Sequence, residues 1–290
     1  MFLTYTFFAS KLLDSINAWI GKTNILIIVL FGGGIIFTIA LKAYNINFKQ
    51  IFAALKNSGD KTSDGISGLQ SLMIATSSRI GNGNIAGVAS AVMVGGPGAL
   101  FWMWITALIG MATAFMEGVL SQLYKQKKGH DYVGGVPYYI KAGTKWGWLG
   151  KVYAITAIGT FALAYMGVQS HTIAANFQAV AGKTLAFSPF VIKLTVGVIL
   201  GIIVFCVIFG GVRSIGNFAS TIMPLMGSLY LIVALFIIIK NFGKTPEVWN
   251  FIISGAFGTK QVIGGVAGYT IMTAVQKGAA RGVFSNEAGI

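Results

Sequence analysis

At least four stretches of this chain carry no charged residue over a length that can cross a bilayer, and nothing else in the sequence constrains the fold as strongly. They lie between Lys22 and Lys42 (19 residues), Lys151 and Lys183 (31), Lys193 and Arg213 (19), and Arg213 and Lys240 (26). A spanning helix needs about 20 apolar residues. Charged residues make up only 10% of the 290 positions, against about 25% in a soluble domain. These observations predict an all-α polytopic membrane protein.

The remaining composition excludes several function classes. A net charge of +14 in a soluble chain would suggest nucleic acid, but here the lysines punctuate apolar runs and read as topogenic charge, so no nucleic acid is expected. Cys206, the single cysteine, lies inside an apolar run, which rules out a disulfide framework within the chain. His130 and His171 are the only histidines and 41 positions apart, too isolated for a zinc constellation. Met1–Ser10 has neither a basic segment before it nor a small-residue cleavage site after it, so no signal peptide is expected. No nucleophile, base and orienting acid occur together, so an enzyme is not expected either.

Apolar runs and their punctuation give seven spans, at about 23–41, 66–94, 99–123, 152–181, 191–211, 215–239 and a last one starting near Val262. Residues 1–22 mix Lys11, Asp14 and Asn17 with aromatics and read as an interfacial helix, as does 245–258 with Pro246 and Trp249. With the N-terminus on one side, eleven basic residues fall opposite it and seven beside it. The positive-inside rule then puts the N-terminus outside the cell and the 124–148 loop in the cytoplasm.

The second span is interrupted by Ser77-Ser78-Arg79-Ile80-Gly81-Asn82-Gly83-Asn84. Two glycines around an asparagine weaken a helix, and an arginine near mid-membrane costs at least ~2.5 kcal/mol. The arrangement predicts a discontinuous helix whose freed backbone groups line a cavity and bind a carboxylate and a cation. Close packing through small residues would explain the glycines but not Arg79, Asn82 and Asn84. The segment Arg281-Gly282-Val283-Phe284-Ser285-Asn286-Glu287-Ala288-Gly289 repeats Arg79, Asn84, Ala86 and Gly87 at a constant offset of 202. That offset spans five helices, half of an inverted-repeat transporter. On this reading a second half begins at Val262 and is cut off at Ile290, so the chain is expected to be a fragment. Gly81–Gly87 superficially resembles a dinucleotide fingerprint, but its last spacing is one residue too long and it follows no strand.

Gly95-Gly96-Pro97-Gly98-Ala99-Leu100-Phe101-Trp102-Met103-Trp104-Ile105-Thr106-Ala107-Leu108-Ile109-Gly110 resembles the signature of the sodium:alanine (alanine or glycine:cation) symporter family. Arg79–Ala89 and Arg281–Gly289 are similar to further motifs of that family. The resemblance implies a five-plus-five, leucine-transporter-like inverted-repeat fold, truncated in the second repeat. Its parts would be an extra transmembrane helix at 23–45, a first five-helix repeat at 66–241, and an interfacial loop with the start of the second repeat at 242–290. It also implies sodium-coupled uptake of alanine or glycine across the plasma membrane, with sodium as the coupling ion and no cofactor. Partner subunits are left open. Asn82 and His171 depart from the family's usual threonine and asparagine, which bears on substrate choice.

By the same resemblance, the substrate carboxylate lies against the backbone N–H groups of Gly81, Asn82 and Gly83, and sodium against carbonyls near Ser77 and Ile80. Asn84, Ser285 and Asn286 would complete the substrate pocket. Gln169 and Ser170 stand in the middle of an uncharged span, where an interhelical hydrogen bond is the alternative to substrate contact. Arg79, Arg281 and Glu287 are expected as gating or buried charges. Glu117, two turns before Lys125, is expected to face water, and Trp102 and Trp104 to serve as belt or packing residues. A proton-coupled amino-acid permease and a channel are the alternative functions. The first needs a proton site outside the broken helix, which carries no carboxylate.

Overall fold

A computed structural model of the protein describes residues 25–42, 47–56, 66–129, 131–182, 188–258 and 271–286. The order is α1 (Ile25–Ala40), α2 (Phe48–Lys56), α3 (Gly68–Arg79), α4 (Asn82–Gly95), α5 (Gly98–Leu123), β1 (Gln126–Lys128), β2 (Asp131–Val133), α6 (Val136–Gly143) and α7 (Gly147–Gly159). A π-helical turn (Thr160–Tyr165) then leads into α8 (Met166–Ala181). Next come α9 (Pro189–Phe209), α10 (Gly211–Lys240), α11 (Thr245–Phe257) and α12 (Ile271–Asn286). Among the described residues, four helical segments are long and apolar enough to cross a membrane: Gly98–Leu123, Gly147–Ala181, Pro189–Phe209 and Gly211–Lys240. They make the protein a multi-pass membrane protein.

The other expected spans differ for local reasons. Of the first, Ile25–Ala40 is described and helical, and its expected start at residue 23 lies outside the described residues. The second is divided between α3 and α4, neither long enough alone. The last is described only from Ile271, so its expected start near Val262 lies outside the described residues, as do 1–22. The architecture is all-α, with one short β element that the sequence did not indicate. The loop after α5 forms an antiparallel hairpin pairing Gln126 with Val133, Lys127 with Tyr132 and Lys128 with Asp131. Gly129 makes this turn possible with φ +67°, a value that side chains with a Cβ rarely adopt.

The described residues fall into two units. In one, α1, most of α4, the first two thirds of α5, α11 and α12 pack through small residues. A Cβ built on Gly98 of α5 would lie 2.3 Å from the carbonyl carbon of Gly255 in α11. Trp102 Nε1 donates to Ala256 O at 3.3 Å, and Phe101 meets Phe257 edge-on at 5.1 Å between ring centroids. Trp104 lies 5.5 Å from Trp249. Both tryptophans thus pack on α11, the segment expected to be interfacial. On α12, Gly278 and Gly282 lie against α5, where added Cβ atoms would meet Ala99 O at 2.5 Å and Thr106 Cβ at 2.8 Å.

The second unit holds α3, the start of α4, the end of α5, the hairpin and α6 to α10. Outward-facing Ile202, Phe205, Ile208 and Phe209 leave α9 with an apolar surface suited to lipid or to apolar protein, and not to water. α3 packs along α10. Gln70 both caps α3 and ties it to α10. Its Oε1 accepts the Ser67 N–H at 2.9 Å while Ser67 Oγ accepts the Gln70 N–H at 3.1 Å, closing a capping box. Its Nε2 donates to Asn217 Oδ1 of α10 at 2.7 Å. Ser67→Ala is expected to remove about 1 kcal/mol of stability and Gln70→Ala about 2 kcal/mol, because the second change also loses the bond to α10. Thermal melting in detergent reads the difference; a Gln70→Ala loss no larger than that of Ser67→Ala would dismiss the α10 link.

Candidate functional site

The interruption in the second span is a break in the helix. α3 stops at Arg79, Ile80 adopts φ −113° and ψ 84°, and α4 begins at Asn82. The last turn of α3 folds its own side chains back on it: Ser77 Oγ donates to Ile74 O at 2.8 Å and Ser78 Oγ to Ala75 O at 3.0 Å. Arg79 Nη1 donates to Ala75 O at 3.2 Å, which keeps part of the guanidinium charge at the helix C-terminus where the backbone dipole favours it. Across the break, Asn84 Nδ2 donates to Arg79 O and Asn84 N to Gly81 O at 3.0 Å. Asn84 therefore fastens the two half-helices to each other, a role that spacing alone did not indicate.

Two opposite backbone ends meet at this point. The C-terminus of α3 presents carbonyls, including those of Ser77 and Ile80, with partial negative charge. α4 begins at Asn82, and a helix N-terminus leaves its first N–H groups without an intrahelical acceptor and with partial positive charge. A cation and an anion can both be accommodated here by backbone alone.

Gln169, on α8, stands against the break. A Cβ added to Gly81 would lie 2.6 Å from Gln169 Nε2 and 3.2 Å from its Oε1, so only a residue without a side chain leaves this amide its place. Residues 88 positions apart in sequence, both expected at the site, are brought together. Ser170 follows on the same helix with its Oγ donating to Met166 O at 2.7 Å. The π-helical turn Thr160–Tyr165 ends four residues before Gln169. Such turns shift the facing of everything after them and occur often at functional sites. The sequence offered no signal for it.

The other expected residues are placed as follows. Arg281 is half-buried on α12, and Ser285 and Asn286 are the helix's last two residues; all three belong to the other unit. Glu287 lies outside the described residues. Glu117 is half-buried, and its field reaches α6: burial first, then Glu117, then Tyr153 push the Tyr139 phenol up to about 12. Tyr139 therefore stays protonated through the physiological range.

Comparison with known proteins follows this geometry. Residues 6–290 match the sodium:alanine symporter family. The chain is 40% identical over 264 residues to the amino-acid carrier protein AlsT of Bacillus subtilis, an alignment that covers 90% of this chain and 54% of AlsT. It is 37% identical to the probable sodium/glutamine symporter GlnT of the same organism (92% and 54% covered). It is also 37% identical to the sodium/alanine symporter AgcS of Methanococcus maripaludis (97% and 61% covered). The chain spans about half the length of these relatives.

Proposed function

Because the chain belongs to the sodium:alanine symporter family, we propose that it is part of a secondary active transporter coupling sodium entry to uptake of a small neutral amino acid. The observation that carries this reading is the helix break at Arg79–Asn82 with the Gln169 amide against Gly81. A zwitterion needs donors for its carboxylate and an acceptor near its ammonium. The N–H groups of Gly81, Asn82 and Gly83 supply the donors, and Gln169 Oε1 or a nearby carbonyl the acceptor. Sodium rests at the carbonyl end of α3, at Ser77 and Ile80, with Arg79 turned back along its own helix. Ser170 and Asn84 shape the pocket. The fold proposed is the leucine-transporter-like inverted repeat, in the plasma membrane with the N-terminus outside.

The names of the relatives differ in substrate, alanine for AgcS and glutamine for GlnT. We favour alanine or glycine, because at Gly81 the space beyond the backbone is already taken by the Gln169 amide. In vesicles containing the whole transporter of which the chain is part, labelled alanine should accumulate under an imposed sodium gradient, with a protonophore present. Accumulation that follows a proton gradient and ignores sodium would establish the permease alternative, and currents without accumulation the channel. In the same assay Gln169→Ala is expected to weaken alanine affinity by roughly 5–30-fold, the equivalent of about 1–2 kcal/mol for one lost polar contact. Unchanged affinity would make Gln169 a packing residue.

A further inference from the structure

A cavity of about 910 Å3 lies where α6 meets α7, away from the helix break, and Gln126, Tyr138, Lys141, Trp148 and Lys151 line it. Its two walls are held together by backbone. A Cβ on Gly150 would lie 2.8 Å from Pro137 O, and one on Gly147 would lie 3.6 Å from Lys141 Cγ, so the lysine stem rests over a bare stretch of α7. Pro137 in the first turn of α6 fixes where that helix starts.

The charge at this elbow is of one sign. Lys141, Lys145 and Lys151 occur within eleven residues, and no aspartate or glutamate appears from residue 132 to residue 246. The acid whose field reaches α6, Glu117, acts on Tyr139, which is not among the lining residues. Both lining lysines are exposed, so neither is committed to the core.

Depth decides the kind of anion. Gly147–Ala181 is a membrane-crossing segment, and Trp148 and Lys151 belong to its first two turns. An indole 61% exposed at that position is typical of the level of the lipid headgroups, and a lysine there reaches lipid phosphates. We propose that the α6–α7 cavity binds the phosphodiester headgroup of an anionic phospholipid, with Lys141 and Lys151 pairing the phosphate and Trp148 and Tyr138 covering the glycerol end.

The purified chain in detergent micelles is mixed with phosphatidylglycerol or phosphatidylcholine of identical acyl chains, and retained lipid is read by native mass spectrometry. Phosphatidylglycerol should be retained preferentially. Lys141→Gln/Lys151→Gln should lose that preference by roughly 30-fold, the factor corresponding to about 1 kcal/mol for each lysine. Lys193→Gln, on α9, should keep it, and Trp148→Ala, which alters no charge, should weaken retention of both lipids. Equal retention of the two lipids by the native chain, or undiminished phosphatidylglycerol on the double variant, would overturn the site. Displacement of phosphatidylglycerol by an equimolar amount of inorganic phosphate would assign the cavity to a free anion and overturn the lipid reading.

Discussion

Gly98→Leu is expected to cost at least about 3 kcal/mol and to leave little protein that survives detergent extraction. The reason is that the atom in the way is backbone. A Cβ at position 98 would lie 2.3 Å from the Gly255 carbonyl carbon and 2.4 Å from Ala256 N, and main chain cannot step aside as a side-chain tip can. Separating α5 from α11 to make room also breaks the bond from Trp102 Nε1 to Ala256 O and the Phe101–Phe257 ring contact. Gly118→Leu on the same helix is the control, since nothing lies within 4 Å of a Cβ there. Equal melting temperatures for the two variants, measured by fluorescence-detected gel filtration after heating, would show that the close approach does not hold α5 and α11 together.

What could be read from the sequence followed from how expensive each feature is in a membrane. Uncharged runs of 19 to 31 residues have almost no other use, so the spans at α7–α8, α9 and α10 were legible. The break between Arg79 and Asn82 was legible for the same reason, because glycine, asparagine and arginine in an apolar stretch demand compensation. Features that leave hydropathy unchanged were not legible. A π-helical turn at Thr160–Tyr165 alters the hydrogen-bond register of one turn but not its composition. The hairpin at 126–133 is too short and too lysine-rich to show a strand pattern, although Gly129 marks its turn. α6 carried a usable start signal in Gly135-Val136-Pro137, but at eight residues it shows no clear period.

The site divides along the same line. Gly81 and Gln169 were each conspicuous for being polar or permissive in apolar surroundings, and the fold puts one against the other. Asn84 was conspicuous too, yet the direction of its amide, toward Arg79 O across the break, depends on how Ile80 leaves the helix. Backbone conformation at a single residue has no imprint on composition. Trp102 and Trp104 illustrate the reverse case. Their position near a helix end suggested belt or packing equally, and the contacts to Ala256, Phe257 and Trp249 select packing.

Gly81→Leu should reduce sodium-driven alanine uptake by more than about 100-fold while leaving the melting temperature within a few degrees of the native value. The contrast with Gly98 comes from what each added side chain would strike. At Gly81 the nearest atoms are Nε2, Cδ and Oε1 of Gln169, the far end of a flexible chain, so the amide can swing away without moving a helix. Function loses twice, because the displaced amide no longer faces the proposed pocket and the leucine fills the space above the first N–H groups of α4. Gly81→Ala should give an intermediate defect, since a methyl group displaces Gln169 without filling the pocket. A double variant, Gly81→Ala with Gln169→Ala, separates the two explanations of the glycine. If Gly81 serves only to make room for Gln169, shortening residue 169 relieves the crowding and uptake returns. If the Gln169 amide and the backbone N–H groups both hold the substrate, the double variant is at least as defective as either single one. Restored uptake in the double variant would therefore remove Gln169 from the site.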